Sequence, residues 1–239
     1  MQSVEEFIAC VFERALGQKI EAGDWSEALF GNWGQLVGSL HAGSRGFEPQ
    51  HPRWRWQDDG NYAFSARIPP SMPDVRAAAG EALDNMAKLA TDPSQFGLVH
   101  GDAHPGNYHI QPNGRLTLFD FDDCHYSWLA YDVASVLLSV TTQPWVGASQ
   151  LDREAEVRRF LPSFVRGYER EAPFAPLIAA LPACLKLREL SQFAIIVDQI
   201  DAETQASDPF VSRFMQGRRA RIEARTPFLE VDFADLASA

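Results

Sequence analysis

Two short stretches concentrate groups that bind protons, metals or phosphates: HGDAHPGN at residues 100–107 and FDFDD at residues 119–123. A solvated turn has no need of two histidines, an aspartate and an asparagine directly behind the apolar residues FGLV. A metal site, a catalytic loop and a polar turn built from residues that favour turns all compete for this pattern. The residues between the two stretches read as a β-hairpin, with YHI and LTLFDF flanking an Asn113-Gly114 turn. A hairpin folds back on itself, so Asn107 at its entrance and Asp120 at its exit become neighbours, and Asp102 lies five residues before Asn107. Magnesium prefers oxygen ligands and is often held by one or two side chains plus substrate phosphates, which suits Asn107 and Asp120. A carboxylate close to the metal but not bound to it can take a proton from an attacking hydroxyl, which suits Asp102.

The protein-kinase pattern H-x-D-x-x-x-x-N followed by D-F-G assigns the same roles to residues at the same spacing. HGDAHPGN, LTLFDFDD and AYDVA together resemble the aminoglycoside phosphotransferase and choline/homoserine kinase-like superfamily. WGQLVGSLHA and FVRGYERE are similar to its helical segments, so the resemblance spans roughly residues 7–235. It implies a protein-kinase-like fold in which Asp102 is the catalytic base and Asn107 and Asp120 hold Mg2+. It also implies that His100 and Asp132 support the loop, and that the backbone at Glu13, Arg14 and Ala15 faces the adenine of ATP, with GTP left open. His104 is frequent in the family turn and is expected to brace the loop. Asp122 is a candidate for a second metal and Asp123 for a cationic substrate, while a solvated acidic loop explains both equally.

The same resemblance implies a lysine that pairs with the nucleotide phosphates on an N-terminal lobe. Lys19, Lys88 and Lys186, the chain's candidates, sit elsewhere in the pattern. The expected organisation is therefore a hinge with the last N-lobe-type strand over residues 1–18 and a kinase-like C-lobe over residues 19–239. The exposed hinge would leave apolar residues 7–12 to be covered by a separate N-lobe or a homodimer. The expected function is ATP-dependent transfer of the γ-phosphate to a hydroxyl of a small polar molecule, with amine-bearing compounds among the candidates. One alternative is a catalytically incomplete C-lobe that binds a ligand or partner. Another is a metallophosphoesterase, since GDAHPGN contains a GDxH turn, but no second GNH-like turn accompanies it.

The elements around the motif read as a mostly helical α+β fold. Helices are expected over residues 24–44, where Asp24 or Ser26 can cap the start, and over 73–90, 128–141, 151–171, 176–200 and 209–225. Residues 7–18 favour a short strand and 96–100 a buried one. Residues 45–73 read as a long loop or lid held by Trp54 and Trp56. Tyr126 and Trp128 could line a pocket but suit core packing better. The 239 residues carry a net charge of −11, which argues against a nucleic-acid binder. Arg213, Arg218, Arg219, Arg221 and Arg225 form a local basic exception, read as a solvated face, with an anion or membrane contact as the alternative. Cys10, Cys124 and Cys184 are far apart without metal spacing, and no basic segment leads into a signal-like apolar core, so a cytoplasmic setting is expected. The apolar run 128–140 is broken by Asp132 and too short to cross a bilayer.

Overall fold

The computed structural model describes residues 2–4, 7–9 and 11–239. The mostly helical α+β architecture forms around three small sheets. Strands β1 (Gln2–Val4) and β2 (Phe7–Ala9) pair antiparallel with Ser3 opposite Ile8. Strand β3 (Gln18–Lys19) pairs with β5 (Tyr108–Ile110), which pairs in turn with β6 (Leu116–Leu118). This second sheet contains the expected hairpin. Gly114 supplies the positive φ of 79° at its turn, and Asn113 Oδ1 accepts from the backbone N–H of Arg115 at 3.0 Å.

Helices α1 (Glu27–Ser44), α2 (Phe64–Arg67), α3 (Pro73–Met86), α4 (Leu129–Thr141), α5 (Gln150–Tyr168) and α6 (Leu181–Gln199) build the body. The four short helices α7 (Ala202–Ser207), α8 (Pro209–Met215), α9 (Arg218–Glu223) and α10 (Phe233–Ala237) close it. Every residue of α4 is buried, as a helix surrounded by others must be. Helix α1 is capped by Ser26, whose Oγ accepts from the Leu29 N–H, while Asp24 receives the Glu21 N–H in the preceding turn.

Helices α1 and α5 approach backbone to backbone through glycines. A Cβ built at Gly34 would overlap the carbonyl of Phe164, and one at Gly167 the carbonyl of Gly31. Gly34→Ala is therefore expected to destabilise the chain by at least ~3 kcal/mol, the upper end of overpacking costs, because the obstructing atoms are backbone. A denaturant titration checks this, and an unchanged midpoint would contradict the packing described.

Several elements differ from the sequence expectation for identifiable reasons. Of the segment 7–18, where a short strand running into a turn is expected, β2 takes Phe7–Ala9, residues 11–15 carry no regular structure, and Gln18 already belongs to β3. The 45–73 segment is folded into short helical turns and α2 rather than left as loop. Trp56 is buried there, while Trp54 is 37% exposed with Arg53 over its ring. Helix α3 ends at Met86, and residues 176–200 divide into a 3-10 turn and α6. Residues 209–225 break at Gly217, which takes φ 65° between α8 and α9. A strand absent from the sequence reading, β7 (His125–Trp128), pairs antiparallel with β4 (Phe96–Val99), placing Val99 opposite His125. Trp128 belongs to the core, its indole N–H donating to the Ala90 carbonyl, and Tyr126 is half-buried.

Cys184 is buried and Cys124 half-buried, both free, and Cys10 lies outside the described residues. Of residues 7–12, the side chains of Val11 and Phe12 are described and are 97% and 84% exposed. Among the described residues no helix is long and apolar enough to cross a membrane.

Candidate active site

The loop after β4 is pinned from below by one carboxylate. Asp132, fully buried in the first turn of α4, accepts from the backbone N–H of His100 at 2.8 Å and of Gly101 at 2.9 Å. Its third partner is His41 Nε2 at 3.1 Å, and His41 Nδ1 meets the Tyr168 hydroxyl at 2.8 Å. Burial works against the charge of Asp132, but the His41 ring and the backbone donors outweigh it and hold the carboxyl below the usual range. Gly101 takes φ 86°, and a Cβ there would overlap the Asp123 carbonyl. Gly101→Ala is thus expected to shift the loop and lower any activity at Asp102 at least ~10-fold, at a cost of ~1–3 kcal/mol in stability. Parallel activity assays and melts check this, and wild-type behaviour in both would contradict it.

His100 ties the loop to the exit of the hairpin. Its Nδ1 accepts from the Asp102 N–H at 3.3 Å and its Nε2 donates to the Phe119 carbonyl at 3.0 Å, which fixes the tautomer. Its ring packs on Phe121 with centroids 4.7 Å apart. The Phe119 N–H donates to the Asn107 carbonyl at 3.1 Å, so the two motif stretches meet at this point.

Asp102 presents its side chain above this frame. One carboxylate oxygen accepts from Arg188 Nη2 at 2.5 Å; the other lies 3.3 Å from His104 Nε2 and 3.3 Å from Asn107 Nδ2. Burial would raise its pKa, yet His104 and the Arg188 guanidinium together hold it far below the usual carboxylate range. His104 accepts from the Gly106 N–H through Nδ1, so its Nε2–H faces Asp102. Asn107 is buried and spends its amide N–H groups on the Asp102 carbonyl and carboxylate, which leaves its Oδ1 as the free atom.

Asp120 follows immediately after the His100 and Asn107 contacts and is exposed, with a left-handed φ of 68°. That conformation turns the chain sharply out of the hairpin, and it is one that aspartate tolerates better than most residues. Asp122 and Asp123 are exposed. Arg53 donates to the carbonyls of Asp122 at 2.5 Å and Cys124 at 2.6 Å, so the acidic loop is held through its backbone. Partial desolvation of the Asp123 carboxyl against the loop, with Asp102 and Asp59 nearby, raises it above the usual range although the residue as a whole is exposed. Glu13 and Arg14 are exposed; the Ala15 carbonyl contacts His109 Nδ1 at 3.2 Å.

A cavity of about 500 Å³ opens beside Asp102, lined among others by Lys19, His104, Ser139, Gln143, Arg188 and Gln192. Among the described residues no three His, Cys, Asp or Glu side chains gather to hold a metal alone. A metal here would therefore rely on few side chains and on phosphate or water oxygens, the regime of magnesium. The oxygen donors Asn107 Oδ1 and Asp120 fit that hard ion.

Three residues of this site escaped the sequence reading. His41 and Arg188 belong to no motif, and Arg188 stands between Lys186 and Glu189 in a run of mixed charge that gives no sign of its role. Lys19, set aside there as misplaced, reaches the cavity because β3 pairs with β5.

The profile of the phosphotransferase enzyme family matches residues 2–184. The amicoumacin kinase of Bacillus subtilis (strain 168) is 29% identical over 234 residues, covering 96% of this chain and 68% of that protein. Among solved structures, amicoumacin kinase hAmiN in complex with AMP-PNP, Ca2+ and Ami superposes with a TM-score of 0.80 at 27% identity. That match covers 94% of this chain and 67% of that one. The microcompartment-associated aminopropanol kinase superposes with a TM-score of 0.62 at 22% identity, over 87% of this chain and 66% of the other, and shares the fold. The chain spans 43% and 52% of two longer relatives, from Synechocystis sp. and Deinococcus radiodurans.

Proposed function

The chain belongs to the phosphotransferase enzyme family, and on that footing we propose that it moves the γ-phosphate of ATP to a hydroxyl of a small polar molecule. The observation that carries this reading is the Asp102 carboxylate, presented to a cavity of small-molecule size on a loop pinned by His100 and Asp132. Arg188 and His104 keep Asp102 ionised and weakly basic, so its work is to orient the acceptor hydroxyl and receive the proton late, as the new P–O bond forms. His104 and Asn107 hold the carboxylate in place for this. Asn107 Oδ1 and Asp120 are the residues that would hold Mg2+, which when bound neutralises the phosphate oxygens. The backbone of Glu13, Arg14 and Ala15 is our candidate for the adenine contact, and the exposed Val11 and Phe12 beside it for the surface covered by an N-terminal lobe or a second copy. On this reading the site works in the cytoplasm, where MgATP is abundant.

The lining favours one class of acceptor. Lys19 and Arg188 face the cavity against the single carboxylate of Asp102, amid the amides of Gln143 and Gln192 and the hydroxyls of Ser139 and Thr142. Such a surface suits a molecule rich in hydroxyl, carbonyl or amide groups better than a polycation; an acceptor amine would have to reach Asp123 outside it. Amicoumacin, the compound named for the relatives, is the first acceptor to assay. ADP release from MgATP that depends on an acceptor, and on Asp102, supports the proposal. A folded chain that forms no phosphorylated product with any acceptor would leave it a binding module.

A further inference from the structure

The basic segment near the C-terminus is not one solvated face. Arg219 pairs with Glu223 at 2.7 Å and Arg225 with Glu81 at 2.8 Å, so these two are balanced locally. Arg213, Arg218 and Arg221 instead gather with Arg153 of α5. The 227–228 segment links three of them. Arg221 donates to the Pro227 carbonyl at 2.7 Å, and Arg218 is stacked between the rings of Phe214 and Phe228. Arg153 bonds Gln150, whose amide donates to the Phe228 carbonyl.

Counter-charge is short here. Glu189 is shared by Arg218 at 2.8 Å and Lys186 at 2.9 Å. Asp152 is bonded to Ser149 at the start of α5 and feels the charges of Arg153 and Arg213 without forming an ion pair with either, and Glu154 accepts from Gln150 and the Glu230 N–H. Among the described residues Arg153, Arg213 and Arg221 have no carboxylate partner. Moreover, Arg153 Nε, Arg213 Nη2 and Arg221 Nε are shielded from solvent and donate to nothing. Burial and the neighbouring Arg218 and Arg221 push the Arg153 guanidinium down to about 10. Withdrawing unpaired cationic donors from water and crowding them together is costly unless an anion compensates. The chain's net charge of −11 makes a fortuitous surplus of positive charge less expected.

We propose that Arg153, Arg213, Arg218 and Arg221, at the junction of α5, α8 and α9, form a binding site for a multivalent oxyanion of the phosphate class. Guanidinium forks suit such a ligand because several N–H groups can address its oxygens at once. The proposal is independent of the reading of Asp102 and of the cavity beside it. The site takes either a free phosphate-type anion or a phosphate headgroup at an anionic membrane surface.

The test is calorimetry of the full chain with inorganic phosphate and pyrophosphate, beside pelleting with phosphatidylglycerol and phosphatidylcholine vesicles. Saturable binding, weakened at least about tenfold in Arg213→Gln/Arg221→Gln and unchanged in Arg219→Gln, supports the site. Pelleting with phosphatidylglycerol alone, lost in the same double variant, assigns the lipid headgroup; anion binding without pelleting assigns the free ion. In phosphate-free buffer Arg213→Gln should melt no lower than wild type, because repulsion is relieved. The proposal is overturned if wild type binds neither phosphate source, if the double variant binds undiminished, or if Arg213→Gln melts lower without anion.

Discussion

Asp102→Asn is expected to lower phosphoryl transfer by ~10²–10⁴-fold while leaving the chain folded, because it removes the one carboxylate that the described residues present to the cavity. Asparagine keeps an oxygen for Arg188 and a shape matched to the loop, so the loss should fall on turnover rather than on MgATP affinity. Asp102→Ala should do more, since it leaves the Arg188 guanidinium beside the cavity without its 2.5 Å partner. Breaking a buried pair from one side costs ~3–5 kcal/mol, and the quarter exposure of Asp102 places this case below that range. Steady-state kinetics and melts of both variants separate the two effects. Wild-type turnover in Asp102→Asn would remove Asp102 from the chemistry.

Asp132→Ala is expected to destabilise the chain by ~3–5 kcal/mol, since three donors converge on a fully buried carboxylate and all would lose their acceptor. Two of those donors are the backbone N–H groups that shape the turn into Asp102, so activity should fall with stability. The pH dependence has a definite sign. The folded-state pKa of Asp132 lies below its unfolded value, so its contribution is complete above about pH 4 and is lost as pH falls toward the folded value. Asp132→Asn should therefore show a flatter acid limb in stability against pH than wild type. An acid limb as steep as that of wild type would show that Asp132 titrates alike in both states.

The motif loop and its hairpin were legible because their signals are local. Asn113-Gly114 satisfies its own turn, Ser26 its own cap, and Pro73 the first turn of α3. The residues that finish the site were not, because they act across the fold. HYSW alternates polar and aromatic residues as a strand would, but four residues running straight into an apolar helix are too short to be read as one without the pairing with β4. His41 is 91 residues from Asp132 and Arg188 is 86 from Asp102; nothing near either in the chain announces the contact. Lys19 stands outside the expected order of motifs, yet the register of β3 on β5 carries it to the cavity. The folded 45–73 segment was hidden similarly: Arg53 finds the carbonyls of Asp122 and Cys124 only after the acidic loop has turned back on it.

In the proposed reading Asn107 and Asp120 form a metal–nucleotide site next to Asp102. Calorimetric titration of the full chain with MgATP, beside Asp120→Ala, tests it most directly. Saturable binding that is lost in Asp120→Ala is the expected result, with the variant melting within a few degrees of wild type because Asp120 is exposed. Equal MgATP affinity in the two proteins, or no binding by the folded wild-type chain, would contradict it.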